Sequence, residues 1–251
     1  MAASGPLSRE GTFSAVSLNV AKTRDPDRIV QAIRSAPRLY EADLFMFQEV
    51  AHGEEKPSVA EEAAHSLGYS TAFAPAGEGI YDQGLALVSR YPLTDVRVTA
   101  LRECNLRFRS RKRFALSATV QTPSGDLRVW NIHLDTRINS RERLTQLQPA
   151  LDDAATHDGP RLIGGDFNTN DLYWLGNVVP LPFGPTHGIA LRRAMALHGF
   201  ETPLPERLDT FPPFRRHLDW IFQSGLKSLA ASAEPAPFSD HNAIWLRVGL
   251  E

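Results

Sequence analysis

Two alternating runs constrain this chain's fold more than any other feature. Residues 113–121 and 127–134 each switch between apolar and polar side chains with the period of a half-buried strand. Between them, Thr122-Pro123-Ser124-Gly125-Asp126 has strong turn chemistry, so the pair reads as an antiparallel hairpin. A hairpin leaves no room for the crossover helix that a parallel pair of strands needs. Other strand-like runs cover 13–20, 43–50, 69–73, 84–89, 94–101, 161–164, 217–222 and 243–248. Helical patterns cover 26–36, capped by Asp25 with Pro26 at the first turn, and 58–67, stopped by Gly68. Two more run from Asn139 or Ser140 to about Ala155 and over 188–198. Residues 170–185 read as a loop. Strands are many and several follow one another directly. That excludes a purely parallel, doubly wound sheet and fits two packed sheets covered by helices.

The 251 residues are 42% hydrophobic and 22% charged, which suits a sizeable core without covalent staples. No composition shift or repeat marks a boundary. The expected organisation is a flexible N-terminus over 1–11 and a single catalytic domain over 12–251. The lone cysteine, Cys104, excludes a disulfide within the chain. The first residues lack the apolar region of a signal peptide, and no stretch has transmembrane length. A cytoplasmic monomer is therefore expected. A net charge of −2 gives no support to a large duplex footprint but leaves local basic patches open.

Ligand-type side chains recur at the ends of the apolar runs. They are Asn19, Gln48-Glu49, Asn131 and His133, Asp166 and Asn168, Asp219, and Ser239-Asp240-His241. A buried charge is costly unless it is paired or bound to metal, whereas a strand end can face a cleft. Hard cations prefer carboxylate and amide oxygen, and attack on an anionic phosphodiester needs charge neutralisation and an aligned water. A histidine backed by a carboxylate is held in one tautomer. Each motif alone also has an ordinary structural explanation: an Asx turn at Asp166, a solvated edge at Gln48-Glu49, a core histidine at His133, an arginine partner for Asp219.

The ordered set resembles the endonuclease/exonuclease/phosphatase superfamily, with its DNase I-like fold, over most of the chain. The resemblance rests on Ser17-Leu18-Asn19, Phe47-Gln48-Glu49-Val50, the run from Gly84 to Leu93, Asn131-Ile132-His133-Leu134, Gly165-Asp166-Phe167-Asn168-Thr169, Leu218-Asp219-Trp220-Ile221-Phe222 and Ser239-Asp240-His241. It implies a four-layer α/β sandwich, two packed mixed/antiparallel β-sheets flanked by helices, with one Mg²⁺- or Mn²⁺-dependent site at one end. Carried over by position, Glu49 is the main metal ligand, helped by Asn19 and joined by Asp240. Asp166 orients or deprotonates the attacking water, and Asn168 holds the phosphate or that water. His241 contacts the scissile phosphate and is oriented by Asp219. His133 lies on the leaving-group side, and Asn131 supports the phosphate pocket.

The substrate class is less constrained. Arg102, Arg107, Arg109, Arg111, Lys112 and Arg113 form a basic run that reads either as a solvated face or as an anion-attracting wall, with Arg111 and Arg113 as substrate contacts. The apolar stretch 172–183 reads as a segment folded onto the core, or as a lip for a base or a lipid tail. A nuclease-like phosphodiesterase acting on nucleic acid is the leading reading. The alternatives are a phosphatase or phospholipase/sphingomyelinase-type hydrolase of small or lipid phosphates, and an inactive binding module on the same fold.

Overall fold

The computed structural model describes residues 11–77, 82–104, 106, 112–182 and 187–250. The expected flexible N-terminus, except Gly11, lies outside them, as do Arg107, Arg109 and Arg111.

The chain begins with strand β1 (Thr12–Asn19), helices α1 (Pro26–Ser35) and α2 (Pro37–Tyr40), strand β2 (Leu44–Val50) and helix α3 (Val59–Leu67). Strands β3 (Ser70–Ala74), β4 (Gly84–Ser89), β5 (Leu93–Ala100), β6 (Phe114–Thr122) and β7 (Gly125–His133) follow. Then come α4 (Ser140–Ala154), β8 (Arg161–Asp166), β9 (Tyr173–Leu175), β10 (Val179–Leu181) and α5 (His187–Leu197). Strands β11 (Asp219–Ser224), β12 (Lys227–Glu234) and β13 (Ala243–Gly249) end it. One sheet has the order β12-β13-β1-β2-β4-β3, and the other β11-β8-β7-β6-β5. Each sheet is antiparallel except for one parallel pair, β1 with β2 and β7 with β8.

The local signals explain most elements. Pro26 occupies the first turn of α1, and the Asp25 side chain accepts from the Asp27 amide. Ser58 and Glu61 form a reciprocal capping box on α3, and Gly68 closes that helix at φ 71°. The expected hairpin is β6–β7, in register from Ala115 opposite Ile132 to Thr122 opposite Gly125. One core packs α1, α2 and α3 on the outside of the first sheet, through Ile29, Ile33, Leu39, Val59 and Ala63 against Phe45, Phe47 and Trp245. The other fills the space between the sheets and continues beneath α4 and α5, through Trp130, Leu147, Leu151, Met195 and Trp220. These are the four layers the resemblance implied.

Two expectations change. Residues 170–185 are not all loop: β9 and β10 pair as a hairpin, turned at Gly176 and Asn177 with φ 58° and 60°. Its Tyr173, Leu175 and Val179 are exposed, so this stretch does not fold onto the core. The reason is register. Leu175 stands opposite Val179 and Tyr173 opposite Leu181, on one outward face, while Trp174 faces the other way. The edge strand β12 has no counterpart in the sequence reading, because its Ser/Ala-rich run has little strand propensity.

Candidate active site

Gly165 brings β8 against β7. Its φ is 149°, and a Cβ there would lie 1.9 Å from the Ile132 carbonyl oxygen, so only glycine permits this approach. The approach aligns three strand ends: His133 stands opposite Asp166, and Asp166 opposite Asp219. Side chains in one such row share a face, here the face toward the other sheet. From that sheet, Asn19 at the end of β1 donates from Nδ2 to Asp166 Oδ2 at 3.2 Å. The loop before β13 completes the group. The Ser239 hydroxyl donates to the Asn19 carbonyl at 2.6 Å and accepts from the His241 amide at 3.0 Å.

Asp166, Asp219 and His241 are buried, and each offers a ligand-type atom within 4.8 Å of the others. His241 Nδ1 and Asp219 Oδ2 are 2.8 Å apart. Nδ1 is taken as the protonated, donating nitrogen because its partner is a carboxylate. His241 Nε2 then lies 4.0 Å from Asp166 Oδ2, and His133 Nε2 lies 3.6 Å from the same oxygen. Asp166 Oδ1 accepts from the Asn168 amide at 2.9 Å, and Asn168 Nδ2 donates to the Leu134 carbonyl at 2.8 Å.

The electrostatics follow from this crowding. Burial, then the neighbouring Asp219 charge, pushes the Asp166 carboxyl up to about 7, against the pull of His241, the Asn168 amide and Asn19. For His241, burial opposes protonation, but the Asp219 carboxylate outweighs it and raises the imidazole to about 10. His241 is thus an imidazolium at neutral pH. Asp219 Oδ1 is buried and accepts no hydrogen bond from the described residues.

The remaining expected residues sit differently. Glu49 is half-buried at the end of β2, where the β2–β4 register shifts, and holds φ 53°. A left-handed glutamate in a bulge is the kind of strain that collects at functional sites. Asp240 is exposed and acts on His241 only through space. Arg113 donates from Nε to Asp135 Oδ1 at 2.9 Å, and lines a small cavity with Gln83 and His133. Asn131 does not reach the cluster. It is fully buried, donating to the Phe47 and Ala86 carbonyls and accepting from Gln48 Nε2, so it ties the two sheets together. Lying two residues before His133 places it about 7 Å deeper along the strand.

Thr210 and Arg143, which the sequence did not single out, and Ser239, which had no role assigned, hold the site in shape. Thr210 Oγ1 accepts from the Leu218 and Asp219 amides at 2.8 and 3.1 Å. The fully buried Arg143 donates to the carbonyls of Asp135, Phe167 and Ile138. Burial lowers its guanidinium to about 10, with Asp166 and Asp135 opposing. Ser239 links β1 to His241, as described above. Ser239 stood within a quoted motif; Thr210 and Arg143 carry no local signal, because their partners are backbone groups outside any repeating helix or strand spacing.

This is a two-sheet α/β sandwich with a carboxylate–imidazole site at its open strand ends. The chain belongs to the Endonuclease/Exonuclease/phosphatase family, whose profile matches residues 16–241. That family consists of hydrolytic phosphoesterases that generally use divalent metals. No curated protein sequence is significantly similar to the chain. Among solved structures, it is similar to an endonuclease/exonuclease/phosphatase from Beutenbergia cavernae, with TM-score 0.73 and 19% identity over 96% of this chain and 72% of the other. The human nocturnin catalytic domain with bound sulfate gives TM-score 0.65 and 19% identity, covering 97% and 96% of the two chains. ANGEL2, described as a 2′,3′-cyclic phosphatase, gives 0.60 and 20%, covering 96% and 95%.

Proposed function

We propose that the chain is a divalent-metal-dependent phosphoesterase that cleaves a phosphodiester by in-line attack of an activated water, with a nuclease-like substrate. The observation that carries this reading is the buried contact chain Asp219–His241–Asp166 at the strand ends. The residues present fit a hard cation. Two buried carboxylates lie side by side, and Asp219 Oδ1 accepts no hydrogen bond from the described residues. Glu49 and the Asn19 side-chain oxygen would hold the cation next to Asp166. Asp240 is too exposed to contribute more than charge at a distance. When bound, the cation supplies charge neutralisation at the phosphate.

The protein groups divide the remaining work. Asp219 holds His241 Nδ1 and favours the imidazolium, whose Nε2–H donates to a phosphate oxygen. Asp166 serves as the base for water, and the Asn19 and Asn168 bonds fix its direction. Asn168 borders the position of that water. His133 lies on the other side of Asp166, toward Arg113, where it serves the leaving group. The exposed Tyr173, Leu175 and Val179 face favours a second reading, a lipid phosphodiester whose tail lies on that hairpin.

A substrate panel in Mg²⁺ or Mn²⁺ tests the proposal: bis-p-nitrophenyl phosphate, p-nitrophenyl phosphate, plasmid DNA and sphingomyelin vesicles. Turnover of the diester and of DNA is expected. Exclusive turnover of vesicles would select the second reading. Silence on every substrate by folded, metal-loaded protein would leave the binding module.

A further inference from the structure

A cleft of about 750 Å³ opens beside the catalytic cluster, and one loop separates the two. On its catalytic side, Thr210 holds the Asp219 amide and the Phe211 ring lies 4.9 Å from the His241 ring. On its other side, Leu208, Asp209, Arg215 and Arg216 line the cleft. The opposite wall begins at Thr169, the residue after Asn168. The Thr169 hydroxyl donates to the His217 carbonyl at 2.7 Å and accepts from the Trp220 indole at 2.8 Å. Cleft and cluster are therefore built on the same two strand ends, β8 and β11.

The lining has a definite chemistry. The His217 ring lies flat on Trp220, with centroids 3.6 Å apart and planes at 20°, and borders the cleft as a planar shelf. Arg207, Arg215 and Arg216 share the lining with Asp171, Glu206 and Asp209, and no two of these six form an ion pair. Charges of both signs that form no ion pair among the described residues, with Arg216 over the Phe214 ring, stand beside a flat ring and do not suit an acyl chain or a bare phosphate. They suit a ligand with a stacking ring, hydrogen-bond donors for the carboxylates and an anionic group for the guanidinium groups. The volume is that of a small-molecule site.

We infer that this cleft binds the nucleotide unit next to the scissile phosphate, its base stacked on His217 and its flanking phosphate held by the loop arginines. The inference rests on the phosphodiesterase reading above and narrows its substrate class. In that arrangement His217 sets specificity rather than chemistry.

The test uses the full chain in Mg²⁺ or Mn²⁺ with a dinucleotide phosphodiester and bis-p-nitrophenyl phosphate, comparing wild type with His217→Ala, His217→Phe and Arg216→Ala. His217→Ala is expected to lower the ratio of kcat/KM for the dinucleotide to that for the small diester about tenfold, mainly through KM. His217→Phe restores most of that ratio. Arg216→Ala lowers it and flattens the salt dependence of KM. Calorimetric titration with a nucleoside monophosphate reads the subsite without turnover: His217→Ala should weaken binding by a similar factor. An equal loss on both substrates would assign His217 a purely structural role and overturn the inference, as would an unchanged ratio. Turnover confined to lipid vesicles would overturn it while leaving a phosphoesterase. No turnover of any substrate by wild type would instead remove the reading beneath it.

Discussion

Replacing Asp166 with asparagine should abolish activity and yet stabilise the metal-free protein at neutral to mildly alkaline pH. The carboxyl rises from 3.8 to about 7 on folding, pushed by burial and by Asp219. A rise of that size corresponds to roughly 4 kcal/mol against folding once the group is ionised. The attractions of the His241 imidazolium, the Asn168 amide and Asn19 Nδ2 are already counted in that rise, so the variant gains up to about 4 kcal/mol at alkaline pH, or roughly 8–16 °C in Tm for a chain of this size. The sign with pH is fixed by the direction of the change. A group whose folded pKa lies above its unfolded value favours folding fully below the unfolded value, near 4, and loses that contribution as pH rises through about 7. Thermal melts in chelator at pH 5 and pH 8 should therefore show Asp166→Asn gaining more on wild type at the higher pH. Saturating Mg²⁺ or Mn²⁺ should narrow the difference, because a cation that binds only the wild-type site adds about 2–3 kcal/mol at a hundredfold excess over Kd. A variant destabilised equally at both pH values, with and without metal, would refute the reasoning.

Three further outcomes follow from named contacts. Thr210→Val deprives the Leu218 and Asp219 amides of their acceptor, and should lower stability by about 1–3 kcal/mol in denaturant melts and kcat by at least tenfold. Gly165→Ala places a methyl group 1.9 Å from the Ile132 carbonyl oxygen, and should leave little folded protein by circular dichroism. His241 is raised from 6.5 to about 10, so its contribution to stability is complete below pH 6.5 and is lost as pH rises through about 10. Asp219→Asn removes the carboxylate responsible, and melts between pH 7 and 10 should show a flatter decline than wild type.

The fold was legible wherever local rules govern. The β6–β7 hairpin followed from alternation and one proline–glycine turn, and α1 and α3 from their caps. Edge elements were not legible. β12 is rich in alanine and serine, and β9–β10 is too short for periodicity to register, although Gly176-Asn177 carried a turn signal. In the candidate site, strand-end position singled out His133, Asp166, Asp219 and His241, which the structure brings together. That these converge across two sheets, with Asn19 bonded to a residue 147 positions away, came only through the resemblance. Asn131 shows where the pattern misleads: two residues along a strand preserve the face but change the depth, from a cleft to the space between sheets. Arg143 and Thr210 act on backbone groups of neighbouring connections, a relation that residue type and periodicity do not encode.

The most direct test of the central claim is the hydrolysis rate of bis-p-nitrophenyl phosphate by chelated and Mg²⁺- or Mn²⁺-reloaded protein, for wild type, Asp166→Ala and His241→Ala. The account predicts turnover that chelator abolishes and metal restores, and a loss of about a thousandfold or more in both variants. Turnover that persists in chelator, or that both folded variants retain, would contradict it.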